Sequence, residues 1–129
     1  MERVTGLGGI FFKCDDPKKI EEWYRQHLGI EPSGDGSVVF PWRDREDPEK
    51  TGYTVWSPFP KSTKYFDPSR APFMINYRVA NLDKMLEQLR QAGAQVDERA
   101  EDSEYGRFGW VMDPEGNRIE LWEPPADAP

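Results

Sequence analysis

A carboxylate does chemistry only where the chain holds it away from water and aims it at open space, and one glutamate in this sequence has the neighbours for that. In Arg118-Ile119-Glu120-Leu121-Trp122 the apolar residues alternate, so Ile119 and Leu121 share one face of a strand and Arg118, Glu120 and Trp122 share the other. The same alternation sorts two further strands. Ile10, Phe12 and Cys14 belong under a helix, which leaves Gly9, Phe11 and Lys13 on the opposite side; Ile75, Tyr77 and Val79 leave Met74, Asn76 and Arg78. A face carrying Phe11, Met74 and Trp122 beside Lys13, Asn76, Arg78 and Glu120 is too polar for a sealed core and too aromatic for plain solvent. Ligand pockets have that composition.

Two roles are open to Glu120. Buried without a close arginine it would be a carboxylate of raised pKa, able to act as a general base. Paired with Arg78 or Arg118 it would be half of an ion pair with no chemistry. Lys13 and Arg118 at the rim would be solvated, and Phe11, Trp56 and Trp122 could serve as core or dimer contacts instead of ligand stackers. The remaining reactive residues read as structural. His27 is the only histidine and falls on a helical stripe; Cys14 is the only cysteine, hence no disulfide, and is expected as a small buried hydrophobe; Asp15-Asp16 is a helix cap; the Glu98–Glu104 run is a solvated loop.

These side chains must be carried by an α+β chain. Asp113-Pro114-Glu115-Gly116-Asn117 has the chemistry of a tight turn, and the strand after it ends at Pro124-Pro125. Asp16 as N-cap and Pro17 at the first helical position start a helix whose Ile20, Trp23, Tyr24, His27 and Leu28 form one stripe, expected to be buried, with Gly29 closing it. A turn at Pro32-Ser33-Gly34-Asp35-Gly36 precedes short strands near Val38–Trp42 and Tyr53–Trp56. Pro58 to Pro72, with Tyr65 and Phe66, is too long for a hairpin and reads as a functional loop. Then the pattern repeats: a strand over Phe73–Val79, Asn81 capping a helix with Leu82, Met85, Leu86 and Leu89, a stop at Ala92-Gly93, and strands near Ala94–Asp97, Arg107–Met112 and from Arg118. Asp16 and Asn81 are 65 positions apart, as are Gly9 and Met74, while Trp56 and Trp122 are 66 apart. The expectation is one domain over 1–129, made of a βαβββ module at about 4–59, a link at 60–70 and a second module at about 71–125, joined into a curved, cupped surface.

The length of 129 residues suffices for a core without staples. A net charge of −7 without a basic block makes nucleic acid and anionic membranes poor partners. No leader or 18-residue apolar run is evident, so a cytoplasmic protein is expected.

With Asp16, Trp23-Tyr24-Arg25 and His27-Leu28-Gly29 in the first half, and Val79, Leu82-Asp83, Leu89, Ala92-Gly93 and Asp113 through Leu121 in the second, the chain resembles the vicinal oxygen chelate superfamily, the glyoxalase/bleomycin-resistance/extradiol-dioxygenase group. The resemblance covers almost the whole chain. It implies an α+β fold of paired βαβββ modules forming an open, barrel-like curved sheet around a small-molecule cavity, often as a homodimer, and in metal-using members four cup-facing positions that hold a divalent ion. Those positions fall here on Gly9, Thr54, Met74 and Glu120, and only Glu120 has a side chain of the expected kind. Glycine and methionine offer no donor for a hard divalent ion, so no metal or other cofactor is expected. Trp110, with Tyr105 and Arg107, belongs to a strand that covers the cavity in related folds, its facing left open by the sequence.

Two functions follow. One is a metal-free cup that binds a small aromatic or cationic compound, with Phe11, Lys13, Thr54, Trp56, Met74, Asn76, Arg78, Trp110 and Trp122 as candidate ligand contacts. The other, implied by the resemblance, is a glyoxalase-like lyase or isomerase with Glu120 as catalytic base, removing a proton next to a carbonyl while Arg78 or Lys13 stabilises the developing oxyanion. A domain that acts through a dimer surface alone is the third possibility.

Overall fold

A computed structural model describes residues 1–33 and 37–126. In chain order the elements are β1 (Val4–Cys14), α1 (Pro17–Leu28), β2 (Val38–Arg43), β3 (Thr51–Pro60), β4 (Phe73–Val79), α2 (Leu82–Gln91), β5 (Gln95–Val96), β6 (Glu101–Ser103), β7 (Gly106–Met112) and β8 (Arg118–Glu123). The expected turn at Pro32–Gly36 lies outside the described residues from Gly34 onward.

The eight strands form one open mixed sheet in the order β2-β3-β1-β4-β8-β7-β5, with β6 on β7. β1 runs parallel to β3 and β4 parallel to β8, each pair separated in sequence by a helix, and the two units meet where β1 and β4 pair antiparallel. In that central pairing Ile10 lies opposite Ile75 and Phe11 opposite Met74. Directly opposed residues share a face, so the two units join into a single helix side and a single concave side. After α1 the described residues form two strands, one fewer than the βαβββ pattern, whereas four follow α2, two of them of three residues or fewer.

The helices are capped as their sequences require: Asp16 accepts from the backbone of Lys19 and Asn81 from that of Lys84, and Gly29 ends α1 at φ 69°. They are not equally buried. Leu82, Met85 and Leu86 of α2 pack into a core with Val79, Val111 and Leu121. No residue of α1 is buried; Trp23 is 51% exposed and Leu28 60%. This corrects the expected buried stripe. α1 rests on the outer part of the sheet, where Tyr24 meets Phe12 and Trp56 edge-on (6.4 and 5.0 Å between ring centroids), and its Trp23 and Leu28 lie beyond that contact.

β3 is longer than its apolar core suggested, continuing through Pro58 and Pro60. β2 pairs with it only as far as Trp56, so beyond that one edge of β3 has no partner strand and a missing proline N–H breaks no ladder. Pro41 is tolerated because β2 is an edge strand.

Leu86→Ala should therefore cost about 2–5 kcal/mol in urea denaturation, and Trp23→Ala no more than about 0.5 kcal/mol. Comparable losses for both would mean that α1 is as integral to the core as α2.

Candidate functional site

Register builds the site. Asn76 of β4 and Trp110 of β7 are the direct cross-strand partners of Glu120 on β8, so all three side chains rise from the concave side at one level. Asn76 Nδ2 donates to Glu120 Oε1 at 2.6 Å and Trp110 Nε1 to Oε2 at 2.9 Å. The third donor comes from outside the sheet: the hydroxyl of Tyr65, in the segment between β3 and β4, bonds Oε2. Glu120 is 1% exposed. Burial pushes its pKa above the ordinary carboxylate range, against the pull of the Tyr65, Asn76 and Trp110 hydrogen bonds and, last, the charge of Arg118. Burial likewise raises the Tyr65 phenol, with the Glu120 charge as the next cause, so Tyr65 stays a neutral donor.

Above this floor lies a cavity of about 270 Å³. Aromatic rings dominate its lining, with Phe11, Tyr53, Phe59, Phe108 and Trp122 around Asn76 and Glu120. Phe59 and Tyr65 stack within 5° of parallel at 5.7 Å, and Phe108 and Trp122 within 3° at 5.9 Å. Trp122 Nε1 donates to the Tyr105 carbonyl at 2.7 Å, tying the β6–β7 turn to the wall. Two glycines are needed here. Gly106 has φ 119°, and a Cβ would fall 2.4 Å from the Glu123 carbonyl; at Gly8, where the β1 register slips, a Cβ would fall 2.1 Å from Asn76 Oδ1.

The structure thus brings four of the anticipated residues, Phe11, Asn76, Glu120 and Trp122, to one cavity. Met74 and Trp110, both 0% exposed, lie behind the lining in a cluster with Phe11 and Phe66. Lys13 places its ammonium 5.4 Å over the Phe66 ring and does not line the cavity. Arg78 is buried among Trp42, Tyr53 and Trp122, its guanidinium 5.3, 5.6 and 4.9 Å from the ring centroids, and opens instead on a separate cleft of about 440 Å³ with Asp44, Lys50 and Glu123. Two expected positions are elsewhere. Thr54 is buried with its hydroxyl donating to the Leu7 carbonyl and accepting from Trp42 Nε1 at 3.0 Å, and Trp56 packs beneath α1 against Phe12 and Tyr24. The reason is phase: Tyr53, Val55 and Phe59 are the residues of β3 that reach the cavity, so the alternation anchored on Trp56 was out of step by one. Arg118, expected near Glu120, bonds Asp97 at 3.1 Å and lies 5.0 Å from the Trp110 ring centroid.

The four positions that the resemblance assigns to a divalent ion do not fit one. Gly9 offers no donor and a Cβ there would press on the Phe11 ring at 2.8 Å; Met74 is sealed in an apolar cluster; the Thr54 hydroxyl is spent; of the four, only Glu120 keeps a free lone pair, and one carboxylate is no ligand set. Among the described residues no three His, Cys, Asp or Glu side chains converge on a point. Nor is any described helix long and apolar enough to cross a membrane.

The family profile described as "Glyoxalase-like domain" matches residues 9–122. No curated protein matches the chain. Among solved structures, a methylmalonyl-CoA epimerase from Mycobacterium tuberculosis is 25% identical, with 95% of this chain and 89% of that one covered and a TM-score of 0.58. A methylmalonyl-CoA epimerase in complex with methylmalonyl-CoA and NH4+ is 18% identical over 98% of this chain and 100% of the other, with a TM-score of 0.71. A glyoxalase/bleomycin resistance protein/dioxygenase superfamily member from Vibrio splendidus 12B01 is 12% identical over 95% and 99%, with a TM-score of 0.58.

The raised pKa of Glu120 has a consequence for stability. In the folded chain the carboxyl holds its proton to higher pH than in the unfolded chain, whose ordinary value is 4.5. Its contribution is therefore fully present below about pH 4.5 and is lost as pH rises through the folded-state value. Glu120→Gln removes this dependence and can still be accommodated, because Asn76 Oδ1, which has no hydrogen-bond partner among the described residues, can turn to accept from the new amide. The wild-type minus Glu120→Gln stability, measured by urea denaturation from pH 4.5 upward, should fall with pH and then level. A difference that grows with pH would mean that the three donors outweigh burial.

Proposed function

The chain belongs to the glyoxalase-like domain family, and on that footing we propose that it is a small-molecule-binding protein whose cavity takes an aromatic or cationic compound. The observation that carries this reading is the pairing of aromatic walls with a floor whose only charge is Glu120. Rings at Phe11, Phe59, Phe108 and Trp122 offer stacking and cation–π surface, and none of the lining side chains is cationic. A neutral aromatic would gain from the walls; a cation would gain from the walls and the floor.

A second reading, a glyoxalase-like isomerase that uses Glu120 as base without a metal, is favoured by one feature. Glu120 is buried, its three hydrogen-bond donors are all neutral, and burial raises its pKa, which makes it a stronger proton acceptor than an ordinary carboxylate. The epimerases among the similar structures make proton abstraction beside a thioester carbonyl the reaction to test. Against it stands the oxyanion. The donors that could have faced an enolate oxygen are turned onto Glu120, and Lys13 and Arg78, the cations expected to help, sit over Phe66 and among Trp42, Tyr53 and Trp122 instead. Binding is the reading that the geometry supports better.

Titration of tryptophan fluorescence with aromatic cations should show saturable change, and Trp122→Ala should weaken binding by about tenfold, the equivalent of roughly 1.4 kcal/mol and within the range of one desolvated cation–π contact. The isomerase reading has its own readout: exchange of the hydrogen next to the carbonyl of methylmalonyl-CoA in deuterated water. Exchange that Glu120→Gln abolishes would replace the binding reading; no exchange, with fluorescence saturation, supports it.

A further inference from the structure

We propose that the ligand carries a cationic N–H donor, an amidinium or protonated amine, that takes the place of the Tyr65 hydroxyl on Glu120, making Tyr65 the residue that sets this selectivity. The inference rests on the reading of the cavity as a ligand site and narrows it.

The hydrogen-bond inventory of the floor leads there. Its donors, Tyr65 Oη, Asn76 Nδ2 and Trp110 Nε1, are all committed to Glu120. What the floor has left is acceptor capacity: the remaining lone pairs of the carboxylate, and Asn76 Oδ1, which is buried and has no hydrogen-bond partner among the described residues because its amide nitrogen faces Glu120. A ligand carboxylate or phosphate would meet like charge and no donor there, whereas a group with two N–H vectors could bond the carboxylate.

Access decides which donor gives way. Glu120 is 1% exposed, so nothing reaches it while all three donors stay in place. Asn76 and Trp110 are fixed on strands and buried, whereas Tyr65 is 38% exposed at the cavity mouth. The next residue, Phe66, is 0% exposed among Phe11, Met74 and Trp110 and anchors the segment. The Tyr65 ring can therefore swing about its own side-chain torsions without loosening the backbone behind it. The phenol offers the carboxylate a neutral donor, whereas an N⁺–H group adds the attraction between opposite charges to its hydrogen bond, so the exchange favours a cation that can donate. A quaternary ammonium has no hydrogen to give and must stay against the aromatic walls with Tyr65 still in place.

Isothermal titration of wild type and Tyr65→Phe against benzamidinium, phenyltrimethylammonium and benzamide separates the possibilities. Benzamidinium should bind wild type about tenfold more tightly than phenyltrimethylammonium, with benzamide weakest. Tyr65→Phe removes the competing hydroxyl and should tighten benzamidinium several-fold while leaving phenyltrimethylammonium unchanged. Equal affinity of wild type for the two cations would overturn the inference and leave the cavity reading standing, and so would weaker benzamidinium binding by a folded Tyr65→Phe protein. Absence of binding by all three probes would remove the cavity reading itself and this inference with it. If Tyr65→Phe does not fold, the wild-type ranking decides alone.

Discussion

The costliest act in this fold is taking the Glu120 carboxylate out of water. An ionised carboxylate in an apolar interior without compensation would cost far more than a domain of this size can spare, so it must be hydrogen-bonded or protonated. The chain supplies three neutral donors from three different places: a neighbouring strand of the same unit, the β7 strand on the other side, and the segment that links the two halves. Each is placed by something else. Asn76 and Trp110 are fixed by sheet register, and Tyr65 by the burial of Phe66 beside it. The floor of the cavity thereby ties the linking segment to the sheet of the second unit.

Around that tie the packing is aromatic because the space is bounded by flat surfaces on a curved sheet. Phe11, Phe66, Met74 and Trp110 fill the region behind the floor, and Phe59–Tyr65 and Phe108–Trp122 form parallel pairs in the cavity lining. Arg78 closes the other end. It is a buried cation held against three rings, and burial pulls its pKa below the ordinary arginine value. Glu120 and Arg78 are thus both buried on the concave side yet are each compensated separately, which keeps their charges from cancelling in a direct pair.

Much of this was legible in the sequence, and what was missed was missed for definite reasons. Turn chemistry and caps are local, so Asp16, Asn81, Gly29 and the Asp113–Asn117 turn delimit elements without knowledge of the fold. The alternation in β1, β4 and β8 placed Phe11, Asn76, Glu120 and Trp122 together because each strand carries unbroken apolar residues on its helix side. It failed for β3, where aromatic residues occupy both faces: Trp56 belongs under α1 and Tyr53, Val55 and Phe59 belong to the cavity. The phase was taken from the 66-residue spacing to Trp122, which shares no face with Trp56. Phe108 could have been found two positions before Trp110 on the same face. Tyr65 could not: its contact with Glu120 depends on how an irregular segment of a dozen residues folds back, and no period encodes that. The stripe on α1 was read correctly as a pattern and wrongly as burial, since periodicity reports which side is apolar and not how much sheet lies beneath it.

How a buried charge is compensated also decides what it can still do. Had Arg78 or Arg118 formed a bidentate pair with Glu120, the field of the carboxylate would have been largely cancelled a few ångströms away, and the cavity above would be close to neutral. Dipoles do not cancel charge in that way. Tyr65, Asn76 and Trp110 lower the cost of the ion while the net −1 remains whenever the group is ionised, projected into a space of low polarity where it acts strongly. At the positions where the resemblance would seat a metal cation, this chain has none of the required donors beside Glu120, and the three dipoles do the stabilising instead. The physical result is a cup that keeps a negative potential at its base, and the polarity of that base follows from which strand neighbours Glu120 was given.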